Sequence, residues 1–367
     1  MAFVPARLLD ETPALSVATF NRVASARGAL AALASASRQL PNAALLLRPA
    51  LRREAQSTSA LEGTFAPLEE VLAAGDGEPP ESDSMREVLN YVHVAEQAFE
   101  WHDEGRPLTV GLLSDLQAGL VRGTPADDRH AGRVREIQVM IGGYRGIRVE
   151  DARYIPPPPG VELDEQVRDL LQWIEAGHTG VIDPVVAAGM AHYQFEALHP
   201  FTDGNGRIGR LLVGMHLMRS KVLNEPTLSI SPWFEARRAD YYDGLLAVST
   251  DGDWDRWIRF FARGIEKSAE DTVRRIEDLL LAQTRLKERV RAAGLRAETA
   301  MALIDFAMTK PIFTVREIES QLGLKYGRAN ALVGQLVDAQ ILRPYDDAVY
   351  NRRFSAPDLL AILLRSA

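Results

Sequence analysis

The stretch His199-Pro200-Phe201-Thr202-Asp203-Gly204-Asn205-Gly206-Arg207-Ile208-Gly209-Arg210 constrains this chain more than any other. Two glycines one residue apart break a helix and favour a tight turn whose backbone can come close to a ligand. The residues from Arg207 to Met218 have the apolar recurrence of a buried helix. A glycine-rich turn that opens a helix leaves N–H groups unpaired and directed outward, with the positive end of the helix dipole behind them. The sequence therefore predicts an anion cradle.

The side chains around this cradle suit phosphoryl chemistry. Arg207 and Arg210 are three residues apart, so both guanidinium groups can reach one side of the first helical turn and pair with phosphate oxygens. Asp203 is a hard oxygen ligand at the mouth of the turn, fit to share Mg²⁺ with a nucleotide diphosphate. His199, just upstream, can take a proton from an attacking hydroxyl near neutral pH. Singly, each has a plainer explanation: a histidine after an apolar helix caps or packs, and a Gly-x-Gly turn is a common loop. Their fixed spacing within twelve residues is what favours chemistry.

The pattern His199-Pro200-Phe201-x-Asp203-Gly204-Asn205-Gly206-Arg207-x-x-Arg210 resembles the signature of the Fic family without a departure, and Tyr193 to Leu198 ahead of it is also similar. The resemblance implies a helical core and transfer of AMP from ATP to a Ser, Thr or Tyr hydroxyl of a target protein or of the chain itself, with release of pyrophosphate. By position it implies that His199 is the general base, that Asp203 holds Mg²⁺, that Gly204, Asn205 and Gly206 form the anion hole, and that Arg207 and Arg210 bind phosphates. Two alternatives stay open here. One is a same-fold enzyme that uses another nucleotide donor or removes AMP; the other is a nucleotide-sensing DNA-binding regulator.

The first 75 residues read as helical. Leu15 to Leu40 is alanine-rich and apolar, with a break at Pro41, and a further helix from Ala50 to Leu61 should close at Gly63. Glu62 falls in the last turn, where the helix dipole disfavours a carboxylate, so it calls for a cationic partner. The run Thr58-Ser59-Ala60-Leu61-Glu62-Gly63 resembles the inhibitory motif of Fic proteins. That resemblance implies that Thr58, Glu62 and Gly63 belong to an inhibitory helix and that Glu62 pairs with Arg210 where the ATP γ-phosphate would dock.

Further along, Gly75 to Ser84 reads as a polar loop, and helices are expected at Met85 to Trp101 and Val110 to Leu120. In Ile137-Gln138-Val139-Met140-Ile141 the β-branched residues alternate, and Gly142-Gly143 signals a turn, so a short hairpin with Arg148 to Tyr154 as its return arm is expected. The family resemblance implies that Ile137 to Ile141 form a flap holding the target segment by main-chain pairing. A helix from Asp183 to Leu198 has Pro184 in its first turn and His192 as a structural residue, and another opens near Ser229 and includes Tyr241 and Tyr242. From Trp254 to about Ala293 the apolar spacing predicts one or two long helices.

The final segment differs in charge. Residues 286–367 carry 12 Lys/Arg against 9 Asp/Glu, although the chain as a whole has a net charge of −8, which argues against a chain-wide grip on nucleic acid. Thr314 to Gly323 reads as a capped helix, Gly327 to Ala339 as a second, and Ile341 to Tyr345 with Tyr350 to Phe354 as a strand pair. This is the pattern of a winged helix-turn-helix, with Lys325 and Arg328 opening the recognition helix and Arg352 and Arg353 in the wing, and its partner would be DNA, another protein or a second copy of the chain.

The expected architecture is thus mainly α: a helical region at 1–105 carrying the inhibitory helix, a catalytic core with a short β-hairpin flap at 106–250, connecting helices at 251–294, and a winged helix-turn-helix at 295–367. With 46% apolar residues the chain can bury real cores, and the lack of cysteine removes disulfides, thiol nucleophiles and thiolate metal sites. No run approaches a membrane span, and the opening residues lack a leader's pattern, so a cytoplasmic location is expected.

Overall fold

A computed structural model describes residues 2–38, 44–75, 79–142, 148, 151–178, 180–295, 298–346 and 352–365. Helix α1 (Val17–Arg38) runs to the end of the first described segment, and Pro41, where a break is expected, lies outside the described residues. Helix α2 (Ala44–Leu61) starts earlier than expected and runs through Pro49, which lies near enough to its beginning that only one intrahelical bond is lost. Then come α3 (Leu68–Ala73), α4 (Asp83–Asp103) and α5 (Val110–Val121). Ser82 and Thr109 cap the last two by accepting from the N–H groups of Met85 and Leu112.

After α6 (Val161–Ala176), which ends at left-handed Gly177, α7 (Pro184–Leu198) and α8 (Asn205–Arg219) flank the signature turn. Both are buried on nearly every face, so they form a central pair that other helices wrap. Asp183 starts α7 by accepting from Val185 N–H, with Pro184 at the first helical position. The single helix expected to follow Ser229 is instead α9 (Ser231–Glu235) and α10 (Arg238–Asp251), broken at Arg237, whose backbone leaves the helical region.

Helix α11 (Trp254–Ala292) is one unbroken rod of 39 residues, about 60 Å long at 1.5 Å per residue. It runs along α1 and crosses α7, where Gly189 lets Ile258 and Phe261 come close and its carbonyl accepts from Trp257 Nε1 at 2.8 Å. His192 is structural, as expected: it is buried, and its Nε2 lies 2.8 Å from the Tyr241 hydroxyl.

The C-terminal segment contains α12 (Glu298–Thr309), β1 (Ile312–Thr314), α13 (Val315–Leu322), α14 (Tyr326–Asp338), β2 (Arg343–Pro344), β3 (Arg353–Ser355) and α15 (Pro357–Leu364). Thr314 and Glu317 form a reciprocal capping box, and Gly323 closes α13 in the left-handed region. The three strands form an antiparallel sheet in the order β1-β3-β2, with Phe313 opposite Phe354. Tyr350 and Asn351, expected in the strand pair, lie outside the described residues. Helix α12 packs on α2, and α15 packs on α11.

The expected flap hairpin is reduced to one bridge. Ile141 pairs antiparallel with Tyr154, while residues 137–140 make no ladder. Side chains hold this segment in place of a second strand: Arg135 Nη1 donates to Ile137 O at 3.3 Å, and Gln138 Nε2 donates to Pro156 O at 3.0 Å. Gly143 at the turn and Val149 and Glu150 of the return arm lie outside the described residues. No helix among the described residues is long and apolar enough to cross a membrane.

Candidate active site

The end of α7 sets the position of His199. Its N–H still accepts the helix register, donating to Phe195 O at 3.0 Å, but its backbone turns left-handed at φ 49°. Such a conformation is uncommon for a residue with a side chain and is held here by neighbours. Chief among these is Arg135, which is 1% exposed. Its Nε donates to His199 O at 2.8 Å, its Nη2 to Pro157 O at 2.5 Å and to Leu198 O at 3.3 Å, and its own N–H donates to Pro200 O at 2.8 Å. One guanidinium thereby ties the catalytic-loop backbone to the start of the flap.

The turn itself is closed by Asn205. Its Oδ1 accepts from Phe201 N–H at 2.9 Å and its Nδ2 donates to Phe201 O at 2.8 Å. The Asn205 side chain therefore clasps the loop, and only its backbone faces the cradle. Gly204 is left-handed at φ 84°, and a Cβ there would meet Leu120 at 2.8 Å, so the position requires glycine twice over. The first backbone bond of α8 runs from Ile208 N–H to Gly204 O, which leaves the N–H groups of Asn205, Gly206 and Arg207 in the unpaired first turn.

The two arginines have different partners. Arg207 Nη2 meets Asp203 Oδ1 at 2.7 Å and Nη1 meets Glu87 Oε2 at 2.9 Å, so α4 supplies a carboxylate to the cradle. Arg210 is 2% exposed and is engaged by α2: Nε donates to Thr58 Oγ1 at 2.6 Å, and Nη2 to Thr58 O at 3.0 Å and to Glu62 Oε1 at 2.6 Å. The Glu62 carboxylate also lies directly over Gly206, where a Cβ would stand 2.0 Å from Oε1. Gly63, at φ 92°, turns the chain away immediately after it.

Electrostatics follow from this packing. Burial pushes the His199 imidazole down to about 4, against the opposing pull of Glu62, so the ring is neutral at physiological pH and free to accept a proton. Burial works against the Glu62 carboxylate, yet Arg210 and Arg207 overcome it and hold the group below its usual range. Burial likewise opposes charge on Arg210, but Glu62 and the surrounding oxygens raise it further. Glu196, one turn before His199, is pushed by burial up to about 8, and its Oε1 has no partner.

A cavity of about 440 Å³ opens beside these groups. Glu62, Glu196, His199 and Gly206 line one side; Ile141 and Tyr154 of the flap and Tyr242 of α10 line others. Tyr242 also donates to Leu61 O at 3.3 Å, bracing the end of α2. Of the expected flap residues only Ile141 reaches this cavity, and Ile137 and Met140 are exposed on the outer surface. No cluster of three or more metal-ligating side chains occurs among the described residues. Asp203, a single half-exposed carboxylate at the mouth of the cradle, fits Mg²⁺, which takes one or two protein carboxylates and completes its shell with phosphates and water.

Sequence reasoning missed Arg135, Glu87, Glu196 and Gln117, whose Nε2 donates to Asp203 O at 3.1 Å. Each comes from an element outside the turn, Glu196 from one turn earlier on α7, and no local pattern marks it.

A histidine beside an amide cradle, with two arginines and a blocking carboxylate, defines a phosphate-handling site on a helical scaffold. The Fic/DOC family N-terminal profile matches residues 20–100 and the Fic/DOC family profile matches residues 107–217. The chain belongs to the Fic/DOC family. It is 36% identical over 145 residues to protein adenylyltransferase fic-1 of Caenorhabditis elegans, a match covering 40% of this chain and 25% of that protein. The match to protein adenylyltransferase Fic of Drosophila melanogaster is 33% identical over 144 residues, 39% of this chain and 26% of that protein. The chain thus spans about a quarter of the length of these relatives. In fold it is similar to a Fic family protein from Desulfovibrio desulfuricans G20, with a TM-score of 0.57, 22% identity and coverage of 94% of this chain and 98% of that one.

Proposed function

We propose that this chain is a protein adenylyltransferase held in an inhibited state by Glu62. ATP docks with its phosphates on the amides of Asn205 to Arg207 and on the two arginines, and its nucleoside lies in the cavity bounded by the flap and α10. Asp203 would hold Mg²⁺, which when bound neutralises phosphate charge. A Ser, Thr or Tyr hydroxyl of a target protein, or of the chain itself, is laid by main-chain pairing along flap residues 137–140, which make no ladder of their own, and attacks the α-phosphate. His199, neutral and fixed by Arg135, accepts the hydroxyl proton as the new O–P bond forms and the bond to pyrophosphate breaks. Preorganised amides and guanidinium groups stabilise charge developing on the phosphate oxygens, with no reorganisation needed during reaction. Such a donor and the absence of cysteine suit a cytoplasmic setting.

The observation that carries this is the Glu62–Arg210 pair lying over Gly206: a carboxylate fills the place where a phosphate must come. The relatives named above as adenylyltransferases support the choice of AMP as the group transferred. The test is incubation of wild type, Glu62→Gly and His199→Ala with Mg²⁺ and ATP labelled on the α-phosphate. Label on protein should rise in Glu62→Gly and vanish in His199→Ala. Label from the γ-phosphate, or none from either, would sink the proposal.

For the C-terminal segment we infer a winged helix-turn-helix, supported by the order α13, α14, β2, β3 and by the capped turn at Gly323. Tyr326 and Arg328 are exposed at the start of α14, which suits contact with DNA or a partner. Absence of any gel shift at low salt would exclude DNA.

A further inference from the structure

A second cavity, of about 200 Å³, lies away from the signature turn, between α2, α9, α11 and the end of α15. Its apolar lining includes Leu72, Trp233, Leu279 and Leu363, all buried. Its polar lining is unusually cationic: Arg53, Arg237, Lys267, Arg274 and Arg275 against one carboxylate, Asp271. Asp271 is already taken, by Arg275 at 2.7 Å and Arg274 at 3.3 Å, and Lys267 pairs with Glu270 at 2.8 Å. Arg53 and Arg237 form no ion pair among the described residues. Arg53 donates only to the carbonyls of Leu363 and Arg365, and Arg237 stacks over Trp233 at 4.5 Å.

Two further features point to a ligand. Ser268 lines the cavity at 5% exposure with its Oγ unpartnered, an uncommon state for a buried hydroxyl. Burial and then the neighbouring Arg275 push Arg53 down to about 10 against the pull of Asp271 and Glu235, so its charge is poorly solvated and a bound anion would relieve it. In size, an apolar cavity of roughly 150 Å³ accepts a benzene ring.

We propose that this cavity is a binding site for a compact organic anion, a body of one aromatic ring carrying a phosphate or carboxylate. The ring packs against Trp233 and the leucines, and the charge meets the unpaired guanidinium groups. The cavity is distinct from the one beside His199, and its wall at Ala50 and Arg53 belongs to α2, the helix that Glu62 directly follows.

Titration calorimetry of the full chain with phenyl phosphate and with benzoate tests this. At least one probe should bind saturably at one per chain, and the tighter of the two identifies the headgroup. The double variant Arg237→Glu, Lys267→Glu changes exposed positions, keeps its circular dichroism and should weaken binding about tenfold or more. In Glu62→Gly, saturating ATP·Mg²⁺ should leave probe affinity unchanged. The proposal is overturned by no saturable heat from either probe at millimolar concentration, by an unchanged affinity in the double variant, or by displacement with ATP·Mg²⁺.

Discussion

Glu62 Oε1 and Arg210 Nη2 lie 2.6 Å apart, and the same oxygen occupies the space that any side chain at position 206 would need. One carboxylate thus takes up both a buried guanidinium and the surface of the cradle. Replacing it with glycine should raise labelling from α-labelled ATP by at least about tenfold, since the cradle is then free. Removing Glu62, itself partly exposed, leaves the buried Arg210 incompletely satisfied, a cost of about 1–3 kcal/mol. The melting temperature of Glu62→Gly should therefore fall by several degrees without nucleotide and recover with ATP·Mg²⁺, which binds the native state only. A variant as stable as wild type and indifferent to nucleotide would count against this account.

Arg135 is expected to act on rate through His199. Arg135→Lys keeps a charge but cannot serve four carbonyls with a planar fork. In a Glu62→Gly background, kcat should fall about 10- to 100-fold while KM for ATP changes little, because the base is displaced and the cradle is not. Equal losses in both constants would point to a general disturbance of the fold.

The pH dependence has two parts of opposite sign. His199, at about 4 when folded against roughly 6.5 when unfolded, lets the unfolded chain take a proton that the native state refuses. Its contribution to stability is present above about pH 6.5 and is lost as pH falls toward 4. Glu196, at about 8 when folded against roughly 4.3 when unfolded, keeps a proton that the unfolded chain releases, so its contribution is lost as pH rises through 8. Denaturant unfolding at pH 6 and pH 9 should show wild type losing about 1 kcal/mol or more relative to Glu196→Gln. Parallel losses in the two proteins would refute the assignment to Glu196.

Asp203→Asn should shift the Mg²⁺ concentration for half-maximal labelling upward by about tenfold without unfolding the loop, since Arg207 retains Glu87. Chelation should abolish labelling in every variant. Unchanged Mg²⁺ dependence in Asp203→Asn would mean that the ion is held elsewhere.

The turn at 199–210 is legible in sequence because its determinants are local: a left-handed Gly204, the clasp of Asn205 on Phe201 and an N-terminal turn of free amides all lie within a few residues. The pairing of Glu62 with Arg210 spans 148 residues, and it is legible only through a motif resemblance joined to the dipole argument. Arg135 and Glu87 are invisible in the same way but without a motif. The flap is legible only in part: alternating β-branched residues imply a ladder, whereas here Ile141 alone pairs, with Tyr154, and the residues before it are held by the side chains of Arg135 and Gln138. Helices α6, α12 and α15 pass unremarked since nothing in them suggests chemistry, yet α12 and α15 bear directly on α2 and α11.

The carbonyls at the end of α15 accept hydrogen bonds from Arg53 of α2 and from Arg275 of α11. Arg53 lies on α2 eight residues before its last residue, Leu61, about 12 Å along the axis, and Glu62 follows directly. Helix α15 and Arg210 therefore bear on the same helix from two sides, the first through Arg53 and the second through Thr58.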